Sequence, residues 1–383
     1  MAKKAALDLT AEQVRYFRAR RSHLVGDGAR DPATCAREIL GAQAQVHTCA
    51  LHAISLRTEN RPSAADIERE IFDNHTMIRT WGQRGTLHLY DAQDWPTMVL
   101  ASGQWATSGR RGGMPSEALL EDIEEAFAAA DGPMTRSDLV PLMPDDYVDE
   151  LRDHPGAGKN PERFAATRVI WGLSKKGAIA HADTQGREQG YAHRDLWWPQ
   201  VTWEEMSEET ANQEVIRRYL GIFGPSSIQD VAHYIGSRVS DARAWMKGMS
   251  DEVFECTQGE HKKLLALKED REALQETPSD WPARLLPAYD TMLMTHKNKR
   301  WILPDDSEEK LIWKKAAVVV ATVIDRGQIV ATWSHNKRSK EVDITVTPLG
   351  GWSDDARDDL ETDAQAFAGH LGLELGAFEI EKK

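Results

Sequence analysis

The chain has 383 residues, of which 41% are hydrophobic and 28% are charged, and its formal net charge is −14. A chain of this length is predicted to form about two to three domains, and its ordinary composition excludes a wholly disordered protein. The acidic balance also argues against a protein that coats nucleic acid without specificity, because such binding depends on clustered lysine and arginine.

The cysteines and the apolar runs indicate a cellular compartment. Three cysteines are present, none in a CxxC pair, so we expect neither a disulfide framework nor a zinc ribbon, which suits a reducing cytoplasm. The start of the chain lacks the apolar stretch of a secretion signal, and the most apolar run, residues 316–324, is too short to span a bilayer. We therefore expect a cytoplasmic protein without a membrane partner.

The N-terminal part is predicted to contain helices followed by a hairpin. Thr10 and Gln13 form a capping-box signal for a first helix, and Asp31-Pro32 is typical of the start of a second. Residues 76–81 and 86–90 flank a turn bounded by two glycines, which predicts a pair of strands.

Two later stretches, residues 124–143 and 216–236, share one pattern. In each, an amphipathic helix ends at Gly-Pro, and a hydroxyl residue with an aspartate three positions later starts another helix. These predicted caps are Thr135 with Asp138 and Ser227 with Asp230. A third helix and two short strands are predicted after each, which is the order of a winged helix. The N-terminal part is a looser third copy.

The C-terminal quarter contains short alternating or apolar segments, which predict a small antiparallel β-domain of barrel-like form with a terminal helix near residues 355–373. Residues 334–340 are predicted to form its long basic loop, with Lys337, Arg338 and Lys340 as phosphate contacts. The fold class is thus α+β. We predict winged-helix units at residues 1–112, 113–205 and 206–284, and the β-domain at residues 285–383.

The segment LGAQAQVHT, residues 40–48, contains two closely spaced glutamines. Residues two apart lie on nearly opposite sides of a helix, so Gln43 and Gln45 converge on one target only where the backbone is not helical. We therefore predict that Gly41 ends the preceding helix and that the segment is a loop or turn. Spacing alone favours another interpretation, that both are surface amides at a helix junction.

Four segments in the same order resemble the AlkZ-like family of bacterial DNA glycosylases. They are residues 40–48, RTWGQRGTLHLYD (79–91), RYLGIFGPSSIQD (218–230) and LLPAYDTMLM (285–294). The resemblance implies three tandem winged helices and a C-terminal β-barrel in a C-shaped clamp around duplex DNA. It also implies a catalytic role for Gln43 and Gln45, because Gln-x-Gln distinguishes this branch from the YcaQ-like branch with Gln-x-Asp.

The chemistry of two amides fits a labile substrate. Alkylation at N7 of guanine places positive charge on the base, so the bond to the sugar breaks through an oxocarbenium-like state with little acid assistance. A positioned water and oriented amide dipoles are then sufficient. We predict a monofunctional DNA glycosylase that removes bulky or crosslinking N7-alkylguanine adducts from duplex DNA and leaves an abasic site. No lysine is placed for a Schiff base, so strand cleavage is not expected.

Other polar residues give weaker signals. Arg84 and His88 on the first hairpin are candidate DNA contacts, although a half-buried strand histidine explains His88 equally well. His47, Cys49 and His52 match no zinc spacing, so we expect no metal and no cofactor. Most of the thirteen tryptophans are expected in the core or at domain interfaces.

Two other classes of function stay open. A transcriptional regulator would use winged helices without catalysis, but it typically has one unit per subunit and dimerises. An interaction scaffold would bind protein instead of DNA. Three units in one chain favour a monomer that binds double-stranded DNA containing alkylated purines.

Overall fold

The structure is a computed structural model that describes residues 7–101, 113–279, 281–303, 305–353 and 355–382. The predicted boundary between residues 112 and 113 falls at the end of segment 102–112, outside the described residues. In the described ranges, helices and strands alternate along the chain, so the fold is a mixture of α and β. None of these helices is both long and apolar enough to cross a bilayer.

In the N-terminal part, the first two helices begin at the predicted residues. Its elements are β1 (Leu7–Leu9), α1 (Ala11–Arg21), α2 (Pro32–Glu38), β2 (Ala42–Gln43), α3 (His47–Ser55), α4 (Ala64–Phe72), β3 (Met77–Trp81), β4 (Leu87–Asp91) and α5 (Trp95–Ala101). The capping box of Thr10 and Gln13 is confirmed, and Asp31 caps α2. Local side-chain hydrogen bonds to free backbone N–H groups set these starts.

The second part contains short elements that the sequence pattern did not indicate. Its elements are α6 (Glu117–Ala128), β5 (Met134–Thr135), α7 (Arg136–Leu139), α8 (Asp145–Leu151), α9 (Pro161–Lys176), β6 (Ile179–Gln185), β7 (Glu188–His193) and α10 (Arg194–Trp197). The cap formed by Thr135 and Asp138 is confirmed. The short helix α8 was not predicted.

The third part follows its predicted order closely. Its elements are α11 (Glu208–Phe223), α12 (Ile228–Ile235), α13 (Val239–Gly248), β8 (Val253–Gln258) and β9 (His261–Leu267). Gly224 caps α11, and Ser227 and Asp230 form the predicted capping box of α12.

Strand pairing between distant segments was not predicted. The first two hairpins join in one sheet of six strands, in the order β2-β4-β3-β6-β7-β5, and they meet where Arg79 lies opposite His181. The third hairpin forms a separate sheet with β1, which runs parallel to β8. The hydrophobic cluster around α1 also includes side chains of α11, α12 and α13. The first and third parts therefore share a core.

The C-terminal part is built around a five-stranded sheet. Its elements are β10 (Arg284–Leu286), α14 (Thr291–Met294), α15 (Glu309–Ile312), β11 (Trp313–Lys314), β12 (Val318–Val319), β13 (Thr322–Asp325), β14 (Gln328–Lys337), β15 (Glu341–Pro348), α16 (Ala356–His370) and β16 (Glu374–Ile380). The larger sheet has the order β10-β13-β14-β15-β16.

Four predictions for this part are wrong in detail. Among the described residues the sheet is open, with β10 and β16 at its edges, so it is not a closed barrel. It is mixed, because α16 crosses over and returns the chain as β16, which pairs parallel to β15. The predicted helix is present as α16, but it is followed by this strand. The basic loop is shorter than expected, because residues 334–337 continue β14 and pair with residues 342–345.

Candidate active site

The Gln-x-Gln segment lies outside a helix, as predicted, but Ala42 and Gln43 form a short strand where a loop or turn was expected. Helix α2 ends at Glu38, and Leu40 and Gly41 both have positive φ values, of 56° and 83°. Gln43 then pairs with His88 in the short strand β2, and the Ala44 N–H donates to the Leu87 carbonyl at 2.7 Å. In an extended backbone, residues two apart point to the same side. The segment therefore presents both glutamines to the first hairpin.

Gln43 is buried beside a narrow crevice. Its Oε1 accepts a long hydrogen bond of 3.4 Å from Nη2 of Arg84. The crevice is lined by Gly41, Gln43, Gln83, Arg84, His88, Tyr234, Thr291, Met294 and Thr295. It has room for about one water molecule, and no carboxylate is among its lining residues. Its chemistry is therefore that of neutral amides and hydroxyls beside one guanidinium.

Gln45 is exposed and does not line the crevice. Its Oε1 accepts the N–H of Leu87 at 3.1 Å. Because a backbone N–H and a guanidinium only donate, these bonds fix which end of each amide is the oxygen. The two oxygens face the hairpin, and each keeps a second lone pair.

Arg84 points into the protein. Its Nη1 donates to the Tyr234 carbonyl at 3.0 Å, near the C-terminal end of α12, where a positive charge interacts favourably with the helix dipole. Its guanidinium is 5.7 Å from the centre of the Tyr234 ring. Burial lowers its pKa. Arg84 thus links the third part to Gln43, and the structure shows no exposed guanidinium here for a phosphate.

His88 is buried and neutral. Burial, and then the charge of Arg84, lower its pKa to about 3. Its Nδ1 donates to the Thr86 carbonyl at 3.0 Å, and its ring stacks on Tyr90 with the centroids 5.4 Å apart. At neutral pH His88 carries no charge that would attract a phosphate.

Buried histidines predict sensitivity to acid. Their pKa values are lowered mainly by burial: His47 and His233 to about 4, His88 and His181 to about 3, and His52 and His296 well below 6.5. The unfolded chain binds more protons below about pH 6.5, so the stability present above that pH is lost as pH falls through this window. Urea titrations should show the free energy of unfolding falling by more than about 3 kcal/mol from roughly pH 7.5 to 5.5. Equal values at the two pH values would contradict this.

A hydrogen-bond network that the sequence analysis missed supports the start of the segment. Nε2 of Gln83 donates to the Leu40 carbonyl at 3.4 Å and to the Tyr234 hydroxyl at 3.0 Å. The Tyr234 hydroxyl donates to the same carbonyl at 3.2 Å, and the Tyr90 hydroxyl donates to Oε1 of Gln83. These bonds offset the strain of the left-handed Leu40 backbone. The position of Gln83 between two glycines was the only signal in the sequence.

Gly41 is required by both conformation and space. A Cβ at this position would lie 2.4 Å from Cε1 of Tyr90, and φ is positive. Gly41→Ala should therefore lower the free energy of unfolding by more than the roughly 1–2 kcal/mol expected for left-handed strain alone, and it should displace the glutamines. Gly186→Ala is the matched control, because Gly186 also has positive φ but nothing within 4 Å of its Cβ. Equal losses in urea titrations of the two variants would contradict the close contact.

Lys337, Arg338 and Lys340 lie at the exposed tip of the β14–β15 hairpin. Arg338 forms an ion pair with Asp343. Among the described residues, no hydrogen bond or ion pair joins this tip to Gln43 or Gln45. The structure therefore places the predicted residues at two separate locations.

The two histidines that follow the glutamines contact neighbouring side chains. His52 packs against Trp333, Phe367 and His370. Nε2 of His47 is 3.5 Å from Oε1 of Glu68. In the described ranges, no group of three histidine, cysteine, aspartate or glutamate side chains has the arrangement of a metal site.

Comparisons with known proteins identify the family of the chain. The family model described as DNA glycosylase AlkZ-like matches residues 36–370. The interstrand DNA cross-link repair glycosylase of Streptomyces sahachiroi is 25% identical over 322 residues, covering 81% of this chain and 83% of that protein. The solved structure of the S. sahachiroi DNA glycosylase AlkZ covers 98% of this chain and 100% of its own, with a TM-score of 0.83 and 20% identity, which supports the same fold. The chain therefore belongs to the AlkZ-like DNA glycosylase family and is an enzyme that acts on the N-glycosyl bonds of DNA.

Proposed function

We propose that this enzyme hydrolyses the N-glycosidic bond of bulky or crosslinking N7-alkylguanine adducts in duplex DNA and leaves an abasic site. The observation that carries the proposal is the crevice beside Gln43, which is lined without a carboxylate and has room for about one water molecule. A relative of similar length is named for interstrand cross-link repair, which supports the same substrate class.

The amides suit a leaving group that is already cationic. An N7-alkylated guanine departs without protonation, so the remaining requirement is a water held against the sugar carbon as positive charge develops there. The free lone pair of Gln43 Oε1 is available to accept an O–H of that water, and the partial negative charge of the amide oxygens favours the developing cation. An ordinary purine, which leaves as an anion, would need an acid that this crevice lacks.

Lysine chemistry is not needed in this scheme. Lys299 lies near Arg84, and burial lowers its pKa to about 8. Its ammonium donates to the carbonyls of Leu293 and His296, at 3.0 and 2.8 Å. These bonds hold it away from a sugar, which supports base removal without cleavage of the strand.

We further propose that the three helix-and-hairpin parts act as winged helices in a clamp around the duplex. The exposed tip of the β14–β15 hairpin would then contact phosphates. A clamp that holds the duplex around an unflipped adduct avoids the difficulty of moving a bulky base into a snug pocket.

The lysines of the hairpin tip provide a test of this arrangement. Lys337→Ala and Lys340→Ala should each weaken binding to duplex DNA and reduce the slope of log affinity against log salt by about 1, because each removes one phosphate contact. Fluorescence anisotropy at several salt concentrations measures both quantities. Lys176→Ala is a control, since that ammonium is already paired with Glu117. Unchanged salt slopes for Lys337→Ala and Lys340→Ala would mean that the hairpin tip does not contact DNA phosphates.

The function itself is tested with defined lesions. Duplexes that contain N7-methylguanine or a bulky N7-alkylguanine adduct are incubated with the protein, and abasic sites are then cleaved with alkali. We expect alkali-dependent breaks at the lesion with at least the bulky adduct. DNA binding without any such product would contradict N7-alkylguanine adducts as the substrate.

A further inference from the structure

Arg79 lies at the junction of the first two hairpins and reaches the Gln-x-Gln segment. Its Nη2 donates at 3.0 Å to the carbonyl of Ala44, the residue between the two glutamines. Its Nη1 donates at 3.3 Å to Oε1 of Gln189 and at 3.3 Å to Nδ1 of His181, both in the second hairpin. One side chain therefore connects the second part of the protein to the candidate catalytic segment.

The contacts of the Arg79 guanidinium are with neutral groups. No carboxylate forms an ion pair with it in the ranges that the structure describes, whereas Arg37 pairs with Asp91 and Arg218 with Asp94. Burial lowers the pKa of Arg79. Retaining a half-buried charge without a counterion is unfavourable, so the guanidinium is held here by its hydrogen bonds to neutral acceptors.

The histidines near Arg79 are neutral. A guanidinium only donates, so Nδ1 of His181 must accept and that ring is neutral. Burial and then Arg79 lower the pKa of His181 to about 3 and that of His47 to about 4. The Nε of Arg79 is buried without a hydrogen-bond partner among the described residues, so it is not available to a phosphate.

Ala44 is anchored at both edges of its backbone. Its N–H donates to the Leu87 carbonyl at 2.7 Å, and its carbonyl accepts from Arg79. The carbonyl belongs to the peptide that leads into Gln45, so its orientation sets the direction in which Gln45 leaves the strand relative to Gln43. Without the donor, this peptide loses the anchor on its carbonyl side, and the bonds of Ala44 and Gln45 to Leu87 alone hold the separation of the two amides.

We propose that Arg79 is a positioning residue, which holds the Ala44 carbonyl so that Gln43 and Gln45 keep their relative geometry. The role rests on the proposed function, because it matters through the two amides. A displacement of about 1 Å at a reacting group costs roughly 100-fold in rate. We therefore expect a loss of catalysis in the bound complex with little change in DNA affinity.

Two substitutions and one control test this role. Arg79→Met removes the charge and the donors but keeps the length of the stem, and Arg79→Lys keeps the charge and one donor group. Arg163→Met is the control, because Arg163 also contacts the second hairpin, through Glu188, whereas no contact of Arg163 with the glutamine segment is found among the described residues. Each protein is measured for its single-turnover rate at saturating enzyme, its DNA affinity over a range of salt, its melting temperature and the hydrogen exchange of residues 40–47.

We expect Arg79→Met to slow base release by about 10- to 100-fold with an unchanged salt slope, and to speed exchange in residues 40–47. Arg79→Lys should recover part of the rate, and Arg163→Met should match the parent. Weaker binding with a slope lowered by about 1 would overturn the proposal, because Arg79 would then contact a phosphate. An unchanged rate in Arg79→Met would also overturn it. Equal losses of rate in Arg79→Met and Arg79→Lys, together with a lower melting temperature, would overturn it as well.

Failure of the proposed function is separable from failure of this inference. If the parent protein releases no base from any N7-alkylguanine duplex, the proposed reaction is wrong. The exchange measurement still decides whether Arg79 holds the Ala44 peptide, and unchanged exchange in Arg79→Met would exclude that contact.

Discussion

Gln43→Ala should slow the release of N7-alkylguanine by about 100- to 1000-fold, which is the usual cost of removing one preorganised polar group from a reaction centre. Gln43 is the amide that lines the crevice, and no neighbouring carboxylate there would replace it. Binding of undamaged duplex DNA should be unchanged, because the side chain is buried. Single-turnover assays with the bulky adduct give the rate, and anisotropy gives the affinity.

Substitution of the second glutamine, Gln45, should slow the reaction less than substitution of Gln43. Gln45 is exposed and lies outside the crevice, so water partly replaces its amide, and Gln45→Ala should cost less than Gln43→Ala while still slowing the reaction. Gln93→Ala is a suitable control, because Gln93 is also a surface amide and only donates to the Gln200 carbonyl. If Gln43→Ala, Gln45→Ala and the parent protein release equal product, the reaction takes place elsewhere.

The largest effect on stability is expected at the buried pair of Arg57 and Asp290. Both side chains are 0% exposed, and the guanidinium makes two hydrogen bonds to the carboxylate, of 2.7 and 2.8 Å. Arg57→Met should lower the free energy of unfolding by about 3–5 kcal/mol, because it leaves a buried carboxylate without its counterion. Urea titration measures the change.

Two comparisons isolate the cause of that loss. The double variant Arg57→Met, Asp290→Leu should recover a large part of it, because no charge then stays buried. Arg152→Met removes an exposed ion pair with Asp149 and should have a far smaller effect, because solvent screens such pairs. If Arg57→Met costs no more than Arg152→Met, the pair is not buried as described.

The pair of Arg57 and Asp290 is also connected to the candidate active site. Asp290 caps α14 through the N–H of Met292 at 2.9 Å, and the hydroxyl of Thr291 donates to the Gly41 carbonyl at 3.4 Å. Loss of the pair should therefore reduce catalysis as well as stability. The segment LLPAYDTMLM, which the sequence analysis named only for its family resemblance, thus contacts the start of the glutamine segment through Thr291.

Several site features followed from local pattern. Spacing required Gln43 and Gln45 to lie outside a helix, and Gly41 was correctly predicted to separate them from α2. The hairpin that carries Arg84 and His88 was predicted from its strand pattern and its glycines. The contacts of Arg84 and His88 were not predicted. Arg84 points inward to α12, and His88 points inward to Tyr90.

The amino-acid sequence by itself determined the helix starts, the hairpins and the position of the two glutamines, because caps, turns and strand alternation depend on residues a few positions apart. Only the tertiary structure decided what surrounds those glutamines. Arg79 meets His181, and Arg84 meets Tyr234, across separations of 102 and 150 residues. The parallel return of β16 and the open sheet were decided in the same way. Such contacts depend on how whole elements pack together, and no short pattern in the chain specifies that packing.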